Sequence, residues 1–186
     1  MRVEPKPTTK YPFWIRKLFR GQEKKYHAIL QPTMLWGRHP RLLALFLLMF
    51  KYFMRKKSLL PPDVRSLVMI RVSQLNWCSF CVDLNVSIFM ENAGVAEKVD
   101  ALDSWKQSPL FSPEEKAALA YTDAMTDSSQ QVSDAHIAHL RTFLSDDAIV
   151  ELTALLAYQN MSAKFNAALD VPPQGLCKLP VARQAN

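Results

Sequence analysis

A chain of 186 residues, 49% of them hydrophobic, is long enough for one domain with a sizeable core, or one domain with an extension, and too apolar for global disorder. Only four glycines and few alternating β-branched runs argue against a sheet-rich fold and predict an all-α protein. The net charge of +6 hides an asymmetry, because residues 1–57 carry 14 Lys/Arg against 2 Asp/Glu, a local +12, while the remainder nets −6. A basic first third suits an anionic membrane surface or a partner, or is a solvated face or a contact with the acidic remainder; no nucleic-acid-binding motif accompanies it, which argues against nucleic acid.

Residues 1–10 are polar and proline-containing, without the apolar centre of a secretory signal, and the chain reads as cytoplasmic. Residues 1–12 read as a loose arm. Phe13, Trp14, Ile15, Leu18 and Phe19 have helical spacing, with Arg16, Lys17 and Arg20 between them. Gly21 is expected to interrupt that helix, and a second short one to run over 23–30 before Pro32. The two would cover the core or a neighbouring subunit, or lie on a membrane as a basic amphipathic segment. Pro40 then opens a strong helix in which residues 42–50 are all apolar, and Arg55, Lys56 and Lys57 suit its end. A bilayer span needs roughly 20 apolar residues, so this shorter run predicts a buried core helix.

Pro61, Pro62 and Asp63 form the next start signal, followed by Val64, Leu67, Val68, Val72 and Leu75 on one helical stripe. A further helix is expected to begin at the cysteines and run to about residue 92, closed by Ala93 and a left-handed Gly94. On it Cys78, Cys81 and Asn85 are spaced three and four apart and share a face. Asp83 is expected to point to solvent or into a salt bridge. A short helix over 97–105 comes next. Ser112-Pro113-Glu114-Glu115 then combines a serine cap, proline at the first position and glutamate three after the cap. Ser133 and Ser145 are plausible caps for two more helices, the second extending towards Leu169 before Pro172 and Pro173. Residues 174–186 read as irregular. His136 and His139 lie three apart near Asp134, but with no third ligand they predict a solvated face and no metal.

Chemistry is expected at Cys78-Ser79-Phe80-Cys81, which holds two of the three cysteines. Cysteines three apart in a first helical turn place both sulfurs on one side, among free backbone N–H groups at the positive end of the dipole. That environment lowers a thiol's pKa below its free value of about 8.5 and favours the reactive thiolate. The partner cysteine then resolves the sulfenic acid or mixed disulfide that forms. On the helix-end argument alone, Cys78 is the more acidic thiol. Competing readings remain: two inert buried cysteines, a stable structural disulfide, which needs an oxidising compartment, or a zinc site, for which Cys177 and the four histidines offer no suitable spacing.

Residues 65–76, the segment Cys78-Ser79-Phe80-Cys81-Val82-Asp83-Leu84-Asn85, the Gly94 turn, and residues 111–119 and 165–170 together resemble the carboxymuconolactone decarboxylase and alkylhydroperoxidase D (AhpD-like) superfamily. The resemblance covers roughly 40–175, leaving 1–39 as a basic extension and 176–186 as a tail. It implies an all-α AhpD-like helical bundle, a homo-oligomer such as a trimer or hexamer, and peroxide or disulfide reduction by the cysteine pair, recharged by a cellular dithiol with no cofactor beyond that redox-active disulfide. It also implies that Cys81 attacks and Cys78 is its partner. The family's proton relay is a glutamate twelve before the first cysteine and a histidine four after the second; those positions hold Ser66 and Asn85, and the histidine often found between the cysteines is Phe80. Asp63, one turn before Ser66, is the carboxylate left to substitute. The expectation is a weak or differently activated peroxidase or thiol–disulfide carrier. The rival is a non-catalytic or redox-sensing protein whose basic segment docks on a membrane or partner.

Overall fold

The computed structural model describes residues 1–92 and 94–177. Among them are nine α-helices and no strand: α1 (Phe13–Tyr26), α2 (Gln31–Trp36), α3 (Pro40–Phe53), α4 (Pro62–Leu75), α5 (Ser79–Glu91), α6 (Ala96–Asp100), α7 (Pro113–Thr126), α8 (Asp134–Leu140) and α9 (Asp146–Ala168). No helix among the described residues is long and apolar enough to cross a membrane.

The organising element is α4, which packs against α5, α7 and α9. Val64, Leu67, Val68, Met69, Ile70 and Val72 are all buried, so apolar residues surround the helix instead of forming one stripe, as befits a helix enclosed by others. Its two sides feed separate clusters, one with α7, α9 and the end of α3, the other with α5, α7 and Trp105. A reciprocal capping box at Ser112 and Glu115 starts α7, and Ser145 accepts from the Ala148 N–H to start α9. The helix expected over 97–105 divides into α6 and a 3-10 turn at Leu102–Ser104. Gly94 donates its N–H to the Phe89 carbonyl at 3.0 Å, and a Cβ there would lie 2.5 Å from the Phe89 ring. Close packing is therefore one reason for glycine at this position. Residue 93 and the tail 178–186 fall outside the described residues.

Four expectations for the N-terminal third are corrected. Helix α1 runs through Gly21 without a break. A mid-helix glycine costs only about 1 kcal/mol, and the helix is anchored beyond it: the buried Gln22 donates to Thr33 Oγ1 at 2.7 Å and accepts from the Leu30 N–H. It ends instead at His27, in the left-handed region at φ 55°. The arm is not loose, since the Arg2 N–H bonds the Leu169 carbonyl at 2.8 Å and Tyr11 is buried with its hydroxyl on the Met34 carbonyl. Pro32, read as a stop, lies in the first turn of α2, where a missing N–H costs nothing. Finally, α3 is not a buried core helix. Leu43 and Phe53 are buried, but Leu45 and Leu48 are 62% and 65% exposed. One side of the apolar run faces the protein, and no other part of the described chain covers the other.

The loop between α3 and α4 is tied to α9 by Glu151, which accepts from Arg55 Nη2 and Ser58 Oγ, both at 2.6 Å. Burial pushes this carboxyl up, but the Ser58 and Arg55 hydrogen bonds outweigh burial and hold it below its ordinary 4.5. A depressed acid stabilises the fold fully above its unfolded pKa and loses that contribution as pH falls through its folded value. Glu151→Gln is therefore expected to lower the melting temperature at neutral pH and to flatten its decline between roughly pH 5 and 3, as measured by thermal melts across that range.

Candidate functional site

The site is built where α4 hands the chain to α5. The Cys78 N–H bonds the Ser73 carbonyl and the Trp77 N–H bonds the Gln74 carbonyl, both at 3.0 Å, with Trp77 left-handed at φ 56°. This is a Schellman closure with tryptophan where glycine is usual. It makes Cys78 the end of one helix and the N-cap of the next, where its sulfur accepts from the Cys81 N–H at 3.2 Å. Cys78 and Cys81 are joined as a disulfide, with Cα atoms 5.2 Å apart. Both are buried, at 1% and 3% exposure.

Their surroundings differ. Cys81 lies on the wall of a cavity of about 640 Å³, and Cys78 does not. The roof is one face of α1, with Trp14, Lys17, Leu18, Gly21, Gln22 and Lys25 at helical spacing, and one side is the inner face of α3, with Leu43, Phe46, Leu47 and Phe50. The floor is α5 with Phe80, Leu84 and Asn85, and α9 with Gln159, Ser162 and Asn166. The cavity is thus apolar along most of its walls, with its amides gathered near the sulfur.

Those amides form an ordered net. Asn166 Nδ2 donates to Cys81 Sγ at 3.3 Å. Asn85, one turn beyond Cys81, donates to Ser73 Oγ at 3.0 Å and to the Met69 carbonyl at 3.4 Å. Ser73 also accepts from Gln159 Nε2 at 2.9 Å and donates its own O–H to the Met69 carbonyl at 2.7 Å. Helices α4, α5 and α9 therefore meet at one serine hydroxyl. Nearby, burial raises the Tyr158 phenol well above its ordinary value, so its hydroxyl stays protonated, donating to the Phe46 carbonyl.

The structure brings Cys78, Cys81 and Asn85 together but not the other two expected residues. Ser66 is buried on α4 about two turns before Ser73 and does not line the cavity. Asp63 is exposed in the first turn of α4 and faces the charge of Glu114, whose carboxyl is pushed up by burial and then by Asp63. The hydrogen bonds to the sulfurs come instead from the Cys81 N–H and Asn166. Asp83, expected at solvent or in a salt bridge, is 1% exposed and accepts the backbone N–H groups of Gln174, Leu176 and Cys177 at 2.7–3.1 Å, pinning the C-terminal segment to α5. His136 closes a capping box with Ser133 at the start of α8. Among the described residues no three His, Cys, Asp or Glu side chains converge as a metal site. Sequence reasoning missed Ser73, Gln159 and Asn166. Their signal was weak: Gln159, Ser162 and Asn166 fall on one face of α9, a pattern that also describes a solvated stripe.

The sequence pattern of the carboxymuconolactone decarboxylase family matches residues 40–124. The chain is 40% identical over 177 residues to YnjA, an uncharacterized protein of Escherichia coli K12, covering 95% of this chain and 97% of that one. The chain belongs to the carboxymuconolactone decarboxylase family. Another relative, the uncharacterized protein YdfG of Bacillus subtilis 168, is 30% identical over 115 residues, 61% of this chain and 78% of its own. Solved structures share the AhpD-like fold. An AhpD-core, peroxidase-related protein from Ralstonia eutropha JMP134 superposes with a TM-score of 0.82 at 18% identity, covering 93% of this chain and 92% of that one. The debrominase Bmp8 superposes with a TM-score of 0.79 at 23% identity, covering 92% and 91%.

Proposed function

We propose that this AhpD-like protein reduces organic hydroperoxides through a Cys81/Cys78 dithiol cycle. The observation that carries the reading is the asymmetry of the bonded pair: Cys81 opens on a cavity large enough for a small organic molecule, and Cys78 stands behind it. In the reduced protein the Cys81 thiolate attacks the terminal peroxide oxygen. An S–O bond forms, the O–O bond breaks, and the alkoxide leaves, taking up a proton to become the alcohol. Cys78 thiolate then attacks the Cys81 sulfenic acid, forming the S–S bond and releasing hydroxide, which is protonated to water. The peroxide gains two electrons and the dithiol loses two.

A cellular dithiol recharges the pair by attacking the cavity-facing Cys81 sulfur. Cys78 is then the leaving thiolate, and the Cys81 N–H and the α5 terminus stabilise it, which speeds departure. The mixed disulfide on Cys81 is released when the donor's second thiol closes on its own partner. Such a donor fits the cytoplasmic setting we propose for the cycle. The helix-end argument that favoured Cys78 as the more acidic thiol thus suits its role as leaving group, with Cys81 as attacker. Asn85 and Ser73 hold hydrogen bonds but shuttle no proton near neutral pH. Without general acid–base help, normally worth about 10²- to 10⁴-fold, turnover is expected to be slow.

The test is consumption of tert-butyl hydroperoxide by the reduced protein with dithiothreitol. The expected result is alcohol formed one-for-one with disulfide, faster than with dithiothreitol alone. A rate equal to the protein-free rate overturns the proposal. We also propose a homo-oligomer, with the uncovered outer face of α3 as its contact surface; light scattering on Leu45→Glu/Leu48→Glu is expected to show a smaller assembly than the parent protein.

A further inference from the structure

The cavity wall carries lysines on α1 and an unpartnered amide oxygen beside Cys81, and we infer that its substrate is an amphipathic anion, a hydroperoxide of a medium-chain carboxylic acid. The inference rests on the peroxidase reading above and adds which peroxides the site selects. Two lysines, Lys17 and Lys25, and no aspartate or glutamate are among the residues lining it. Lys25 is engaged by Glu91 at 3.1 Å, whereas Lys17 is exposed and has no anionic partner among the described residues. An exposed lysine on the cavity wall stands at its mouth. There it lies on a helix that also carries Arg16, Arg20 and Lys24, within a segment of net charge +12. That field draws anions towards the opening.

Beyond the mouth the walls are leucine and phenylalanine from α1 and α3, matched to an aliphatic chain. On the α9 wall, Asn166 holds the Cys81 sulfur through Nδ2, and its Oδ1 is buried with no hydrogen-bond partner among the described residues. A peroxide O–H is a donor that this acceptor lacks. Bound there, the terminal oxygen lies beside the sulfur that attacks it, and the product is the hydroxy acid. The ordering is therefore carboxylate at Lys17, chain between α1 and α3, and peroxide at Asn166 and Cys81.

Gly21 supplies a test within the cavity. It lines the wall, and a Cβ built on it meets nothing within 4 Å, so a side chain can begin there in open space and a larger one is expected to narrow the cavity. Binding of decanoate and of decanol to the full chain is measured by calorimetry, independent of any turnover. Each buried methylene is worth about fourfold in affinity, so a plug at Gly21→Leu is expected to weaken both ligands at least tenfold. The carboxylate contact with an exposed lysine is smaller: Lys17→Glu is expected to weaken decanoate at least about threefold and leave decanol unchanged. Lys24→Glu, the same charge change on the same helix away from the cavity, weakens only the shared field and is expected to lower decanoate affinity by less than Lys17→Glu does, with decanol unchanged. If Gly21→Leu does not melt like the parent protein, Leu47→Trp narrows the same space from α3 and replaces it. Equal binding of acid and alcohol overturns the anionic selectivity. Unchanged binding in a folded plugged variant overturns the site. Absence of tert-butyl hydroperoxide turnover, with decanoate binding as expected, instead sinks the peroxidase reading and leaves a carboxylate-binding cavity.

Discussion

Replacing Cys81 by serine is expected to lower hydroperoxide turnover by at least about 10³-fold, to the protein-free background, because the nucleophile itself is lost. Cys78→Ser is expected to behave differently. Its Cys81 still faces the cavity and attacks one peroxide, but serine cannot displace hydroxide from the sulfenic acid. Without added thiol the variant should therefore consume one equivalent and stop. Dimedone, which labels sulfenic acids, is expected to mark Cys81 in Cys78→Ser and nothing in Cys81→Ser, read by mass spectrometry of peptides. The asymmetry follows from position: Cys78 is 1% exposed and lies off the cavity wall. A dimedone adduct on Cys78 in Cys81→Ser would reverse the assignment of attacker and partner.

How much of this arrangement a reader of the sequence could see depends on what each signal reports. Start signals report themselves. Pro61-Pro62-Asp63 opens α4, Ser112 with Glu115 opens α7, and Ser145 opens α9, each where expected, because a cap is a local bargain between a side chain and the nearest free N–H groups. The C-x-x-C pair was legible for the same reason, being a matter of three residues. What periodicity does not report is the identity of the neighbour. Residues 42–50 are apolar on every side, and nothing in the run says that α5 and α9 would close a cavity against one side and leave Leu45 and Leu48 uncovered. Asp83 looked like a surface carboxylate because its three partners are backbone N–H groups about 90 residues later, which have no sequence signature. The α9 stripe of Gln159, Ser162 and Asn166 was illegible in the same way: amides facing a sulfur and amides facing water have the same spacing. Gly21 shows a weak local preference overridden by packing, at a position that lines the cavity.

The largest effect on stability is expected away from the sulfurs, at Asp123 on α7. Its carboxylate receives Arg71 of α4 through Nε at 2.7 Å and Nη2 at 3.2 Å, and Trp105 Nε1 at 3.2 Å. Both charged side chains are largely buried, at 13% and 9% exposure. Among the described residues, Asp123→Ala leaves Arg71 with only the exposed Asp103 as an anionic partner, and removes the carboxylate that accepts from the Trp105 N–H. A buried charge stripped of its partner costs about 3–5 kcal/mol, which for a chain of this size lowers the melting temperature by roughly 6–20 °C in calorimetry. The cost is that of the stranded guanidinium, not the worth of the ion pair. The double variant Arg71→Met/Asp123→Leu removes both charges and fills the volume, and is expected to regain most of the loss. Peroxide turnover per folded molecule is expected to stay within about twofold of the parent in both variants, since surface and scaffold changes away from the reacting groups leave transition-state contacts intact. A double variant no more stable than Asp123→Ala would show that Trp105, and not Arg71, is what Asp123 holds in place.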